Sequence, residues 1–161
     1  MIEVQKTQTG VIGLTLEEVK DFMRVDFSED DALITSLINQ SKDLIEEYLN
    51  RSLVVNTIHL IASPREELEI PFGPIETIES VKDVESGDDI DYEYDGLLLT
   101  LKVDKTFSVS CTSHDNLPAG LKLGWLEIIT WLYENRGDTS GFGMMLYYNN
   151  NLMPYRRKVW I

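Results

Sequence analysis

The stretch that decides the fold is residues 14–53, which read LTLEEVKDFMRVDFSEDDALITSLINQSKDLIEEYLNRSL. Thr15 followed three residues later by Glu18 is a capping-box pattern, and it predicts a short helix over about residues 16–23. A second capping pattern, Ser28 with Asp31, precedes a longer helix over about residues 29–50. On that longer helix the apolar residues share one half of the surface and the polar residues share the other. The stretch therefore predicts two amphipathic helices joined by a short link.

Working outward, a third helix is predicted to begin at Pro118, because proline suits the first helical turn, and to end at Gly137. Near its end Arg136 points toward the apolar stripe. A buried arginine needs an acidic partner, which the acidic first turn of the second helix would supply.

Between the helices, residues 53–116 are rich in β-branched residues, and Asp95-Gly96 is a hairpin signal between two strand-like runs. Residues 1–13 read as irregular, with two glycines as breakers. The predicted fold class is therefore α+β: a small helical bundle of two N-terminal helices and one C-terminal helix, with an inserted antiparallel β-sheet and a C-terminal tail. We expect one domain over residues 1–138 with the β insertion at about 53–116, then a flexible joint and docking tail over 139–161.

Composition limits the classes of function. The chain has 161 residues and a formal net charge of −14, which argues against binding nucleic acid or an anionic membrane by attraction. The single cysteine, Cys111, excludes an intrachain disulfide and a cysteine-based zinc site. No signal-peptide pattern and no membrane-spanning run is present, so we expect a protein made in the cytoplasm that does not enter a membrane.

The residues do not suggest catalysis, a metal or a cofactor. His59 and His114 are the two histidines, and neither has further ligands at metal-binding spacing. Residues 91–96 begin like a calcium-binding loop, but the twelfth position is Lys102 rather than an acid, so a hairpin is the better interpretation. No phosphate-binding or nucleophile motif appears, so we expect a protein that is not an enzyme.

The tail has a different character from the body, because no acid follows residue 138. Two interpretations carry equal weight: a C-terminal strand laid on its own domain, or an arm that docks on a partner. The docking interpretation rests on aromatic anchors and three cations: Tyr155, Arg156, Arg157, Lys158 and Trp160.

The same residues resemble a known family, the head–tail connector proteins of long-tailed phages. The resemblance begins with the Leu-Glu-Glu-Val-Lys and Glu-Glu-Tyr-Leu segments of residues 14–53. It continues at Phe72-Gly73-Pro74-Ile75, similar to the family's entry into its β insertion, and resumes at Pro118 and at Leu132-Tyr133-Glu134-Asn135-Arg136. Each piece is generic, and their order and spacing carry the likeness.

The resemblance implies a virion protein that forms a homo-oligomeric ring of about twelve subunits in the neck, between the portal protein and a tail-side neck or stopper protein. Such a ring would complete the head and extend the channel for double-stranded DNA, which passes without specific binding. An acidic lumen agrees with this role, because it repels the phosphate backbone.

Two further sets of candidate residues follow from the ring interpretation. The apolar residues Leu123 and Trp131 lie off the buried stripe of the third helix and are candidates for contacts between subunits. The candidates for channel-lining acids are Asp43, Glu46, Glu47, Asp88 and Asp89. The alternative function is an acidic binding protein, a DNA mimic or an inhibitor of a basic partner, which the net charge would also suit.

Overall fold

The computed structural model describes residues 1–114, 117–137 and 140–157. Within them the chain forms two compact units. The helical unit contains residues 12–53 and 117–157, and the sheet unit contains residues 1–11 and 54–116. The N-terminal segment thus belongs to the sheet unit.

The helical unit contains all of the described helices: α1 (Leu16–Met23), α2 (Asp31–Leu49), α3 (Ala119–Glu134), α4 (Phe142–Tyr147) and a short 3-10 helix (Met153–Tyr155). The three predicted helices are confirmed, and so is the capping box of α1. The Thr15 hydroxyl accepts the Glu18 N–H at 3.2 Å, and the Glu18 carboxylate accepts the Thr15 N–H at 3.0 Å. Lys122 donates to the other oxygen of Glu18, and this bond together with the Thr15 bond lowers the pKa of that carboxyl group.

The start of α2 differs from the prediction, because its N-cap is Asp30 and no side chain caps the helix. The Asp30 carboxylate is engaged elsewhere: it accepts a hydrogen bond from the Tyr133 hydroxyl, and the Arg136 guanidinium lies 3.3 Å away. The acidic partner predicted for Arg136 is thus confirmed, although half of the arginine side chain remains exposed.

One apolar core holds the helical unit together. Side chains from α2 and α3 fill it, among them the fully buried Ile34, Ile45, Trp125 and Ile128. The Trp125 indole N–H donates to the Ser41 hydroxyl at 2.8 Å, so the buried polar atom of this large ring has a partner.

The sheet unit contains seven described strands: β1 (Ile2–Gln8), β2 (Asn56–Ala62), β3 (Glu67–Glu69), β4 (Ile75–Asp83), β5 (Tyr92–Tyr94), β6 (Leu98–Leu101) and β7 (Phe107–Ser113). They form a four-stranded sheet in the order β1-β2-β7-β4 and a three-stranded sheet in the order β3-β6-β5. All named pairs are antiparallel, as predicted. Buried side chains of both sheets, such as Leu60, Leu99 and Phe107, belong to one core.

The expectation that residues 1–13 are irregular is wrong for β1. Its register runs without a break from Ile2 opposite Ala62 to Gln8 opposite Asn56. The segment is short and its polar residues alternate with Ile2 and Val4, and its strand depends on pairing with β2, a partner about fifty to sixty residues away in the sequence.

The predicted hairpin at Asp95-Gly96 is confirmed between β5 and β6. Gly96 has a φ of 95°, a conformation that glycine adopts readily. The Asp95 carboxylate accepts the N–H groups of Leu97 and Leu98 at 2.8 and 2.7 Å. These two bonds, with that of Leu98 the stronger influence, lower the pKa of Asp95.

Candidate assembly surfaces

The residues tested above for chemistry lie apart from one another in the structure. His59 and His114 are exposed on the sheet unit, whereas Cys111 is fully buried on β7. Burial, reinforced by the charge of Glu79, raises the pKa of the Cys111 thiol to about 12. Among the described residues, no group of three or more histidine, cysteine, aspartate or glutamate side chains is placed to hold a metal ion.

The described helices were also compared with the requirements of a membrane span. None of them combines the length and the apolar character that a crossing of the bilayer needs.

Four of the five acids predicted to line a channel, Asp43, Glu47, Asp88 and Asp89, are exposed. The prediction is wrong for Glu46, which is fully buried. Its carboxylate accepts the backbone N–H of Leu53 at 2.7 Å and lies 3.5 Å from the ammonium group of Lys42, which is also buried.

Helix periodicity assigned Glu46 to the polar half of α2. The chain turns after Asn50, which has a positive φ of 49°, and the following segment covers the end of that face. Glu46 therefore fixes the turn after α2 and is not available to DNA.

The two residues predicted for subunit contacts differ in their surroundings. Leu123 on α3 is 39% exposed. Trp131 is half-buried, because α4 packs beside it and the rings of Trp131 and Phe142 lie 5.7 Å apart. No observation tests their role between subunits, which stays a prediction.

The C-terminal segment over residues 140–157 packs on its own unit through helices rather than through the strand of the first interpretation. Leu152 is fully buried in the core of the helical unit, and its side chain lies against Gly124. A Cβ at Gly124 would lie 2.7 Å from Cδ2 of Leu152, so this close approach requires glycine. Asn149 and Asn151 donate hydrogen bonds to Glu127 on α3 at 2.9 and 3.0 Å.

The arginines of this segment gather at the C-terminal end of α2, where the helix dipole favours positive charge. The Arg156 guanidinium lies 4.7 Å from the centre of the Tyr48 ring, and the N–H of Arg157 donates to the carbonyl of Leu49 at 2.8 Å. Arg51 lies 5.9 Å from the Tyr155 ring, and burial, followed by the charge of Arg157, lowers the pKa of Arg51. Lys158 and Trp160, also predicted to dock, lie outside the described residues.

Next to these arginines lies a surface that sequence reasoning missed. Met144 and Tyr148 are both 67% exposed, and Tyr147 and Met153 are at least half exposed. The Tyr147 and Tyr148 rings meet edge to face at 5.0 Å, and the Tyr147 carbonyl accepts a hydrogen bond from Tyr48. We call these four side chains together with Arg156 the tyrosine surface.

A second exposed aromatic surface lies at the end of α1 and in the link to α2. Phe22 and Phe27 are 42% and 49% exposed. Beside them is an open cavity of about 460 Å³, which we call the acidic cleft; its lining residues are Leu16, Glu17, Lys20, Asp21, Val25, Asp26 and Asp31. The Lys20 ammonium is already paired with Asp31 at 2.6 Å, so the cleft keeps an excess of negative charge.

Exposed aromatic side chains beside charged ones are typical of surfaces that bind other proteins. Residues 14–83 match the model of a family described as phage gp6-like head–tail connector proteins. The resemblance seen in the sequence is therefore confirmed over that segment.

Solved structures extend the likeness to the whole fold. A chain from the neck of an empty GTA particle, computed with C6 symmetry, matches with a TM-score of 0.68 and 16% identity, covering 98% of this chain and 97% of that one. A chain from the virion of a native gene transfer agent particle matches with a TM-score of 0.67 and 16% identity. A chain from the neck of a native GTA particle, computed with C12 symmetry, matches with a TM-score of 0.68 and 15% identity. Both matches cover 98% of this chain and 97% of the other. At this level of identity the matches show a shared fold. No curated protein sequence matches the chain.

Proposed function

We propose that this chain is a structural subunit of the neck of a long-tailed phage or a phage-like particle. The observation that carries the proposal is the connector-family match over residues 14–83 combined with a fold shared, from end to end, with chains of particle necks. In this role the protein completes the head after DNA packaging and joins the portal protein to a tail-side neck or stopper protein.

A closed ring is the assembly that this role requires. The similar chains belong to particle necks computed with C6 and C12 symmetry, which supports a ring of about twelve copies. In a cyclic ring each copy offers two different surfaces, one to each neighbour, and the contact repeats until the ring closes.

The ring would surround a channel for DNA. The net charge of −14 supports passage without adhesion, because exposed carboxylates repel the phosphate backbone. We propose Asp43, Glu47, Asp88 and Asp89 as the acids that face the channel, since all four are exposed.

Charge reversal tests the channel. The double substitution Asp88→Lys and Asp89→Lys is expected to reduce the yield of DNA-filled, tailed particles, because lysines would hold the passing phosphates. The matched control is the double substitution Asp88→Asn and Asp89→Asn, which removes the charges without adding cations. Equal yields from the two variants would show that these acids do not face DNA.

Docking of the tail on the portal protein remains part of the proposal for four of its five predicted residues, Tyr155, Arg157, Lys158 and Trp160. The fifth, Arg156, is assigned instead to a contact between neighbouring copies. Removing the whole segment after Gly143 is a poor test, because it also removes the buried Leu152. Single substitutions of Lys158 and Trp160 to alanine in the full chain, scored by binding to portal-bearing heads, test the docking without that loss.

The function itself is tested by producing heads with and without this protein. With it, we expect electron microscopy to show a ring below the portal, retained DNA and joined tails. Without it, we expect heads that leak DNA and lack tails. Particles that assemble normally without the protein would contradict the proposed function.

A further inference from the structure

We propose that neighbouring copies of this chain contact each other head to tail, with the tyrosine surface of one copy seated against the acidic cleft and exposed phenylalanines of the next. The inference rests on the proposed ring, and it names the two surfaces that would build the ring. The occupant of each surface is thus a second copy of the same chain.

The tyrosine surface has the composition of a binding site rather than of ordinary solvent-facing helix. Its exposed side chains are two tyrosines, two methionines and an arginine, which are types enriched at protein interfaces. The Arg156 guanidinium is stacked on Tyr48, so its position is restricted before any partner arrives. No acid occurs in residues 140–157, so this part of the surface lacks negative charge of its own.

The acidic cleft complements the tyrosine surface in its aromatic side chains and in its charge. Phe22 and Phe27, which follow the lining residues Asp21 and Asp26 in the chain, offer exposed aromatic area. Asp21 and Asp26 are exposed, and the ammonium group of Lys20 is held by Asp31 rather than by these two acids. An arginine entering the cleft would find carboxylates able to accept its N–H groups, with apolar side chains beside them.

The two surfaces lie at opposite ends of one rigid element. Asp31 of the cleft begins α2, and Tyr48, which stacks with Arg156, lies near its end, a separation of about 25 Å along the helix axis. One copy therefore cannot satisfy its own surfaces, and each surface needs a second copy. A two-fold pair would use both surfaces within a closed dimer, whereas head-to-tail repetition joins each copy to two neighbours, as the proposed ring requires. Two different complementary surfaces at opposite ends of a subunit produce a heterologous contact, which is the kind that closes into a ring.

Disulfide trapping tests the contact directly. Asp26→Cys and Arg156→Cys are introduced together into the full chain, where the native Cys111 is buried and does not interfere. Under mild oxidation we expect a ladder of covalent multimers on a non-reducing gel. The amount of cross-linked protein should be at least tenfold greater than that from a control pair, Asp26→Cys with the exposed Glu76→Cys. A ladder no stronger than the control would overturn the contact.

Charge exchange gives an independent readout. Arg156→Glu and Asp26→Arg are each expected to reduce ring assembly at least tenfold, and mixing the two variants is expected to restore it, because each mutant surface then meets its complement. Both residues are exposed, so the denaturation midpoint of each variant should stay that of the wild type. If both variants are folded and their mixture still does not assemble into rings, the pairing of Arg156 with Asp26 is refuted.

These results separate the two proposals. If wild-type chains form rings, alone or on portal-bearing heads, while trapping and charge exchange fail, the head-to-tail contact is wrong and the proposed function stands. If wild-type chains join neither each other nor the heads, the proposed function itself fails.

Discussion

Replacing Leu152 with alanine is expected to destabilise the helical unit by about 3 kcal/mol, the middle of the range for buried leucine-to-alanine changes. The leucine is fully buried in the core that α2 and α3 share, and it fills the space that Gly124 leaves open. The surrounding backbone is held in place, because the Asn149 side chain accepts the N–H of Leu152 at 2.9 Å. The site therefore has little freedom to collapse around the missing methyl groups, and a cavity should remain.

Urea denaturation followed by tryptophan fluorescence measures this change, because Trp125 lies in the same core. With a urea dependence of about 1–3 kcal/mol per molar, the midpoint should fall by about 1–3 M. Met153→Ala is the matched control: its side chain is half exposed, so we expect a change within about 0.5 kcal/mol. A loss below about 1 kcal/mol for Leu152→Ala would refute the view that the C-terminal segment is part of the unit's core.

Three further predictions concern buried and capping groups. Glu46→Gln should cost about 1–2 kcal/mol in urea denaturation, because it removes the buried carboxylate beside Lys42 while Asp43 stays 2.7 Å from that ammonium group. Glu47→Gln on the exposed side should be nearly neutral. The folded-state pKa of Asp95 lies below its unfolded value of about 3.9. The carboxylate therefore stabilises the fold above about pH 4, and this contribution is lost as the pH falls through the folded pKa. Thermal midpoints measured down to about pH 2 should decline less steeply for Asp95→Asn than for the wild type. Cys111 should react with a thiol reagent at about pH 8 only as fast as the protein unfolds, and rapid labelling of the folded chain would contradict its burial.

The sequence predicts those elements whose signals are local. The capping box at Thr15 and Glu18 gave the bounds of α1 correctly, and Asp95-Gly96 gave the hairpin. Both signals act through contacts between residues close in the chain, so they are readable without the tertiary structure.

Features that depend on distant contacts could not be predicted in this way. β1 forms because β2 pairs with it, and Asp30 rather than Ser28 begins α2 because Tyr133 and Arg136 bind its carboxylate. Glu46 is buried because the chain turns back after α2, although its position on the helical wheel is polar.

The two exposed aromatic surfaces were missed for a related reason. An apolar residue such as Phe22 on an amphipathic helix is ordinarily assigned to the core, and its exposure becomes visible only when the core is filled by other side chains. Likewise, the brief α4 left no clear periodic signal in a segment with two glycines, yet it presents two exposed tyrosines.

The central claim is that this chain builds a ring in a particle neck. The most direct measurement is electron microscopy of portal-bearing heads incubated with the purified protein. The account predicts added density in the form of a closed ring of about twelve copies below the portal. Heads that show no added density at the portal at saturating protein would contradict it.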